Sequence, residues 1–184
     1  MIDIDTQFLR EEVIRELAVT EGLYNPYDRD TNVRIVEDIR KAIDNLADGT
    51  MPSATHIAEI AVATNENVQI RDFLMGLRLE KDIDYIGLYL QTLGNAIKKD
   101  MALPIATVFA SYLYQYEESQ HAKDMINEVL QINPDYSLAK LLKEAFDKQF
   151  PGNFLTEMAE AVHEKVIDGI YELNDKEINN DSNN

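Results

Sequence analysis

The chain has 184 residues, no cysteine, and 34 Asp and Glu residues against 17 Lys and Arg, which gives a net charge of −17 at pH 7. This length suits one domain with a buried core, and the lack of cysteine excludes disulfides and thiolate metal sites. The negative charge disfavours direct binding to nucleic acid or to anionic membranes. The N-terminal residues lack the basic start and apolar segment of a secretory signal, and no apolar run is long enough to span a bilayer. We therefore expect a cytoplasmic protein that neither spans a membrane nor binds one.

The first half of the chain is predicted to form five amphipathic helices, because its apolar residues recur at spacings of three and four. Leu9, Val13 and Leu17 mark the first helix, which Gly22 ends. The predicted starts are Thr6, Thr31 or Asn32, the residue after the cap Ser53, Asn65 or Glu66, and Asp82 or Asp84.

The fifth predicted helix contains two glycines, Gly87 and Gly94, seven residues apart on one edge. Each weakens a helix by about 1 kcal/mol relative to alanine. A close crossing by another helix would explain them, so we expect tight packing there.

The second half predicts four more helices, separated by turn and proline signals. Pro104 suits the first turn of one helix, Pro134 follows the next, and Pro151 precedes the last. The apolar stripe expected to be buried on the last helix consists of Leu155, Met158, Val162, Val166, Ile170 and Leu173. No segment shows the alternating pattern of a strand.

These patterns predict an all-α fold, an irregular multi-helix bundle of eight or nine helices. We expect residues 1–173 to form a single helical domain, within which residues 1–22 form either a packed helix or a semi-independent N-terminal one. Residues 174–184 are polar and rich in asparagine, so we expect a disordered tail there.

The segment from Leu103 to Tyr136 resembles one tetratricopeptide unit, a hairpin of two helices. Small and apolar residues and a closing proline fall at that family's spacing: Ala110, Ala122, Ile126, Val129 and Pro134. Ala106 departs from the pattern, because a large aromatic residue is usual at that place. The rest of the chain contains no second copy, and a repeat array needs about three units. The resemblance therefore implies a single hairpin.

A broader resemblance runs from Val68 to about Phe154, through VQIRDFLMGL, LPIATVFASYLY and HAKDMINEVLQINPDYSLAKLL to a Pro-Gly pair. This order is similar to the helical C-terminal half of an actinobacterial family of unknown function that is also found in phages. The resemblance implies a helical fold and a bacterial or phage origin, and no activity. The α/β half of that family is not evident before Asn67.

Two Glu-x-x-His pairs, Glu118 with His121 and Glu160 with His163, have the spacing used by carboxylate-bridged di-iron bundles. Such a site also needs inward-facing glutamates from two further helices, and Glu160 lies off the apolar stripe of its own helix. A metal-binding bundle is therefore kept as one hypothesis. No pattern of residues predicts a catalytic site or a cofactor, which favours a protein that is not an enzyme and leaves an enzyme or metal carrier using these four residues as the alternative.

The residues expected to contact a partner are Tyr85, Tyr89, Tyr112, Tyr116, Arg71 and Arg78. Tyrosine suits interfaces because its ring is apolar and its hydroxyl is polar, and the two arginines form a positive pair in an acidic chain. The leading hypothesis is an acidic helical module that docks a protein partner or a second copy through a face near Tyr85 to Tyr116. The alternative is an acidic inhibitor or nucleic-acid mimic that occupies a basic site on its partner.

Overall fold

A computed structural model describes residues 6–116 and 119–172, and this part of the chain contains nine α-helices and no β-strand. The prediction of an all-α, multi-helix bundle is confirmed. The helices are α1 (Thr6–Thr20), α2 (Arg29–Ala47), α3 (Ala54–Glu66), α4 (Val68–Gly76), α5 (Ile83–Ala96), α6 (Leu103–Gln115), α7 (Ser119–Ile132), α8 (Ser137–Asp147) and α9 (Gly152–Glu172). None of them is both long and apolar enough to cross a membrane. The predicted tail, 174–184, lies outside the described residues.

Side-chain caps fix the starts of three helices. The Ser53 hydroxyl accepts a hydrogen bond from the His56 N–H at 3.2 Å, and the Asp82 carboxylate accepts one from the Asp84 N–H at 3.0 Å. Asn67 caps α4 in the same way, so α4 begins later than predicted. The residues expected to start it complete α3 instead.

The buried apolar residues form two clusters. The first lies among α1 to α5, where Val13 and Leu17 of α1 are buried, and it takes Ile105 and Val108 from α6. The second lies among α6, α7 and α8. Helix α9 joins both, because Leu155 packs in the second cluster and Ile170 in the first. The two cores are therefore linked by α6 and α9.

Helix α9 lies closely against α4 at two glycines. A Cβ atom on Gly76 would fall 1.9 Å from Nδ1 of His163, and one on Gly169 would fall 2.6 Å from Nε2 of Gln69. The His163 ring is buried and cannot move aside, so position 76 requires glycine, whereas the end of the flexible Gln69 side chain can move away from a Cβ atom at position 169.

The buried face of α9 differs from the predicted stripe. Leu155 and Ile170 are buried as expected, but Met158 and Val162 are exposed, and Ala159 and His163 are buried in their place. The His163 ring lies where a Cβ atom on Gly76 of α4 would fall, so this part of α9 packs closely on α4.

Candidate functional site

An extended groove lies between α5 and α7. Both helices pack against α6, and they make no substantial contact with each other within the part of the chain that the structure describes. Helix α6 therefore forms the floor. The groove follows α5 from Ile83 to Asn95, which corresponds to about 20 Å of helix.

Two adjoining cavities make up this groove, with volumes of about 310 Å³ and 500 Å³. They share Gln91, Phe109 and His121 and so form one continuous surface. Buried residues form much of the floor, and Leu88, Ile132 and Tyr116 add exposed apolar surface. An apolar floor with a few polar groups at its edge is typical of a binding site.

Gly87 and Gly94 both line the groove, one in each cavity. A Cβ atom on either glycine would have no heavy atom within 4 Å. The expected close helix crossing is therefore wrong, and the glycines instead leave the α5 side of the groove open. The two glycines share one face of α5 with Leu88 and Gln91. This pattern marks the groove, although from the sequence alone it indicated tight packing.

The four tyrosines predicted to contact a partner have different positions. Tyr116 lines the groove with 51% of its surface exposed, and Tyr112 lines its floor but is almost fully buried. The Tyr112 hydroxyl donates to the carbonyl oxygen of Leu74 at 3.2 Å and accepts from the backbone N–H of Arg78 at 3.1 Å. Burial raises its pKa, so this hydroxyl stays protonated and holds α6 against α4.

Tyr89 is fully buried, and Tyr85 is half-buried against the first core cluster, outside the groove lining. The Tyr89 hydroxyl is hydrogen-bonded to Nε2 of His56 at 2.7 Å. Burial raises the pKa of Tyr89 and lowers that of His56. The Tyr89 ring and hydroxyl are both used inside the fold, so Tyr89 presents no exposed surface in this structure.

The arginine pair does not border the groove either. Arg71 forms an ion pair with Asp72, with Nη2 at 2.6 Å from Oδ1. Arg78 contacts the Gln115 side chain, while its Nε and Nη2 atoms are buried without a hydrogen-bond partner among the described residues. Burial lowers the pKa of Arg78. Neither guanidinium group is presented on an open surface for a partner.

A polar cluster that the sequence did not predict joins α2, the segment between α4 and α5, and α9. Glu80 accepts from Arg40 Nε at 2.6 Å and from His163 Nε2 at 2.8 Å. His163 also stacks on Phe73, with ring centroids 5.8 Å apart, and the Arg40 guanidinium lies over the same Phe73 ring. Burial alone would raise the pKa of Glu80, but the hydrogen bonds from Arg40 and His163 outweigh it and lower that pKa.

The residues of the metal hypothesis occupy separate places. His163 is buried against α4, whereas His121 lines the groove between α5 and α7. Glu160 is exposed on α9, and Glu118 lies outside the described residues. No group of three metal-ligating side chains occurs within 6–116 and 119–172.

Comparison with known proteins identifies the family. Neither the curated proteins nor the solved structures contain a match to this chain. The family model of a domain of unknown function matches residues 6–152, which span α1 to α8 and end at the first residue of α9. The match extends well before Val68, where the sequence resemblance began. The chain therefore belongs to the family of the domain of unknown function DUF4192.

Proposed function

We propose that this protein is a protein–protein interaction module, and that the groove between α5 and α7 docks an amphipathic helix from a partner. The observation that carries the proposal is the pair of glycines in that groove. Each lowers the stability of α5 by about 1 kcal/mol, and neither relieves a contact within the described fold. An open groove accounts for both.

The length and lining of the groove suit a helical ligand. About 20 Å accommodates roughly thirteen helical residues at 1.5 Å each, and the apolar strip between α5 and α7 suits side chains at i, i+3, i+4 and i+7. The α6–α7 hairpin that forms the floor and one wall keeps the tetratricopeptide-like small residues, since Ala110 and Ala122 are both fully buried.

The charge of the chain favours a basic ligand helix. Asp84 and Glu128 lie at the edges of the groove and Lys99 is its one lysine among the described lining residues. The whole chain carries −17, which attracts a basic partner from a distance and increases its association rate.

Binding of synthetic peptides tests this proposal. One fourteen-residue peptide of leucine and lysine places its leucines on one helical face, and a second has the same composition in scrambled order. We expect the amphipathic peptide to bind at least tenfold more tightly in fluorescence anisotropy at 0.15 M salt. Leu88→Glu should remove this preference, because it places a carboxylate in the groove. Met158→Glu is the matched control, since Leu88 and Met158 are exposed by 41% and 42%.

Equal binding of both peptides would refute groove docking. If that binding also disappears as salt rises, it supports the acidic inhibitor or nucleic-acid mimic, because exposed charges are screened beyond about 10 Å at 0.1 M salt.

A further inference from the structure

The chain contains two aspartate–glycine pairs, Asp48–Gly49 and Asp168–Gly169. Glycine has no Cβ atom, so the backbone nitrogen that follows each aspartate is less shielded than it would be before any other residue. That nitrogen can attack the side-chain carboxyl group of the aspartate and close a five-membered ring. The two pairs lie in different surroundings, so the fold determines which of them reacts.

The first pair lies in the turn that ends α2. Asp48 is the cap residue, and Gly49 follows it with φ +78°, the left-handed conformation that favours glycine. The N–H of Gly49 donates to the carbonyl oxygen of Leu46 at 3.0 Å, and the N–H of Thr50 donates to that of Asn45 at 2.8 Å. Asp48, Gly49 and Thr50 are all exposed.

This turn can open without disturbing the core. Neither Asp48 nor Gly49 belongs to a buried cluster, and a Cβ atom on Gly49 would meet nothing within 4 Å. Helix ends with exposed hydrogen bonds and few buried contacts open at low cost in free energy. Opening releases the Gly49 nitrogen from Leu46 and lets it approach Cγ of Asp48.

The second pair lies inside α9, near its end, and is held by other helices. Gly169 faces α4 so closely that a Cβ atom on it would fall 2.6 Å from Nε2 of Gln69. Two residues further on, the carbonyl oxygen of Tyr171 accepts a hydrogen bond from Nε of Arg29 at 2.7 Å. Ring closure at Asp168 therefore requires the end of α9 to leave both α4 and α2.

We propose that Asp48 is a site of spontaneous backbone modification, where aspartate converts to isoaspartate, and that the fold protects Asp168 from the same reaction. First, the Gly49 nitrogen bonds to Cγ of the protonated Asp48 carboxyl group. The carboxyl hydroxyl and the proton of the nitrogen leave as one water molecule. Water then opens the cyclic imide. Hydrolysis at the side-chain carbonyl restores aspartate, and hydrolysis at the main-chain carbonyl gives isoaspartate, without any other reactant.

Isoaspartate at position 48 changes the connection between α2 and α3. The main chain then passes through the former side chain and gains one methylene carbon, so the hydrogen bonds from Gly49 and Thr50 no longer fit the end of α2. The former main-chain carboxyl group becomes a free carboxylate, which is the group that isoaspartate-specific methyltransferases esterify. This inference is independent of the groove between α5 and α7.

Incubation of the full chain for several weeks at 37 °C and pH 7.4 tests the proposal. Enzymatic methylation of isoaspartate, followed by peptide mapping, locates and quantifies the modified residues. We expect isoaspartate to accumulate at least tenfold faster at position 48 than at position 168. In 6 M guanidinium chloride, where the fold protects neither pair, the two rates should agree within about twofold.

Three variants provide the matched controls. Asp48→Glu should abolish the reaction at this position, because its ring would need a sixth atom, and Asp168→Glu should leave the rate at position 48 unchanged. Gly49→Asn should slow it at least threefold, since asparagine also suits this left-handed position but its side chain shields the nitrogen. Equal rates at the two pairs in the folded chain, no isoaspartate in the peptide that contains position 48, or an undiminished ratio in guanidinium chloride would overturn the proposal.

Discussion

Replacing Gly76 with alanine tests the close packing of α9 on α4. The backbone at Gly76 has φ −90° and ψ −5°, a negative φ that alanine can also adopt. In open space the change would stabilise the helix by about 1 kcal/mol. Here, however, the new Cβ would lie 1.9 Å from Nδ1 and 2.6 Å from Cγ of His163.

His163 cannot relieve this clash cheaply. Its ring is 95% buried, stacks on Phe73 and is hydrogen-bonded to Glu80. Overpacking costs about 1–3 kcal/mol, and loss of a hydrogen bond to a charged group costs about 1.5–3 kcal/mol. After subtraction of the gain in helix propensity, we expect Gly76→Ala to lower the free energy of unfolding by about 1.5–5 kcal/mol.

Urea denaturation followed by circular dichroism measures this change. Gly87→Ala and Gly94→Ala are the matched controls, because their Cβ atoms would meet nothing within 4 Å, and each should stabilise by about 0.5–1 kcal/mol. In a His163→Ala background, Gly76→Ala should lose most of its cost. If Gly76→Ala stabilises the wild-type chain as the controls do, the described contact between α4 and α9 is wrong.

Three further predictions concern single polar contacts. Glu80→Gln should destabilise by about 1–3 kcal/mol at pH 7. The pKa of Glu80 in the folded chain lies below its ordinary value of 4.5. The difference in free energy of unfolding between the wild type and Glu80→Gln should therefore be fully present above pH 4.5 and decrease as the pH falls through the lowered pKa. Urea titrations at several pH values measure it. Tyr89→Phe should lower the free energy of unfolding by about 1–2 kcal/mol, because it leaves His56 Nε2 without its partner. Peptide binding measured by anisotropy should not change. Weaker binding would show that Tyr89 contacts the peptide. Ser53→Ala should lower the midpoint of thermal unfolding by removing the α3 cap, a loss of about 1 kcal/mol, and an unchanged midpoint would show that the cap contributes nothing.

The local signals predicted the helices well. Helix caps and prolines act on residues only a few positions away, so their effect can be predicted without knowledge of the tertiary structure. Examples are the caps Ser53 and Asp82 and the prolines near α6, α7 and α9. Asn67 shows the limit of this reasoning. Several polar residues compete there for the cap position, and the packing of α3 decides between them.

The face of α9 and the groove depend on contacts between distant residues. Periodicity alone favoured Met158 and Val162 as buried, but Gly76 supplies the flat surface on which His163 packs, 87 residues further along the chain. Likewise, the spacing of Gly87 and Gly94 on α5 is the same whether another helix packs against these glycines or a groove lies beside them. Only the positions of α6 and α7 distinguish the two cases.

The contacts of Tyr171 bear on how the protein folds as it is synthesised. Its backbone oxygen accepts from Arg29 and its hydroxyl from Arg40, residues that precede it by 142 and 131 positions. At typical translation rates α9 leaves the ribosome about 5–25 s after α2. Before α9 is synthesised, the nascent chain already contains Arg40, Phe73 and Glu80 but lacks the helix whose His163 stacks on Phe73. This apolar face of α4 therefore stays uncovered until α9 has been synthesised.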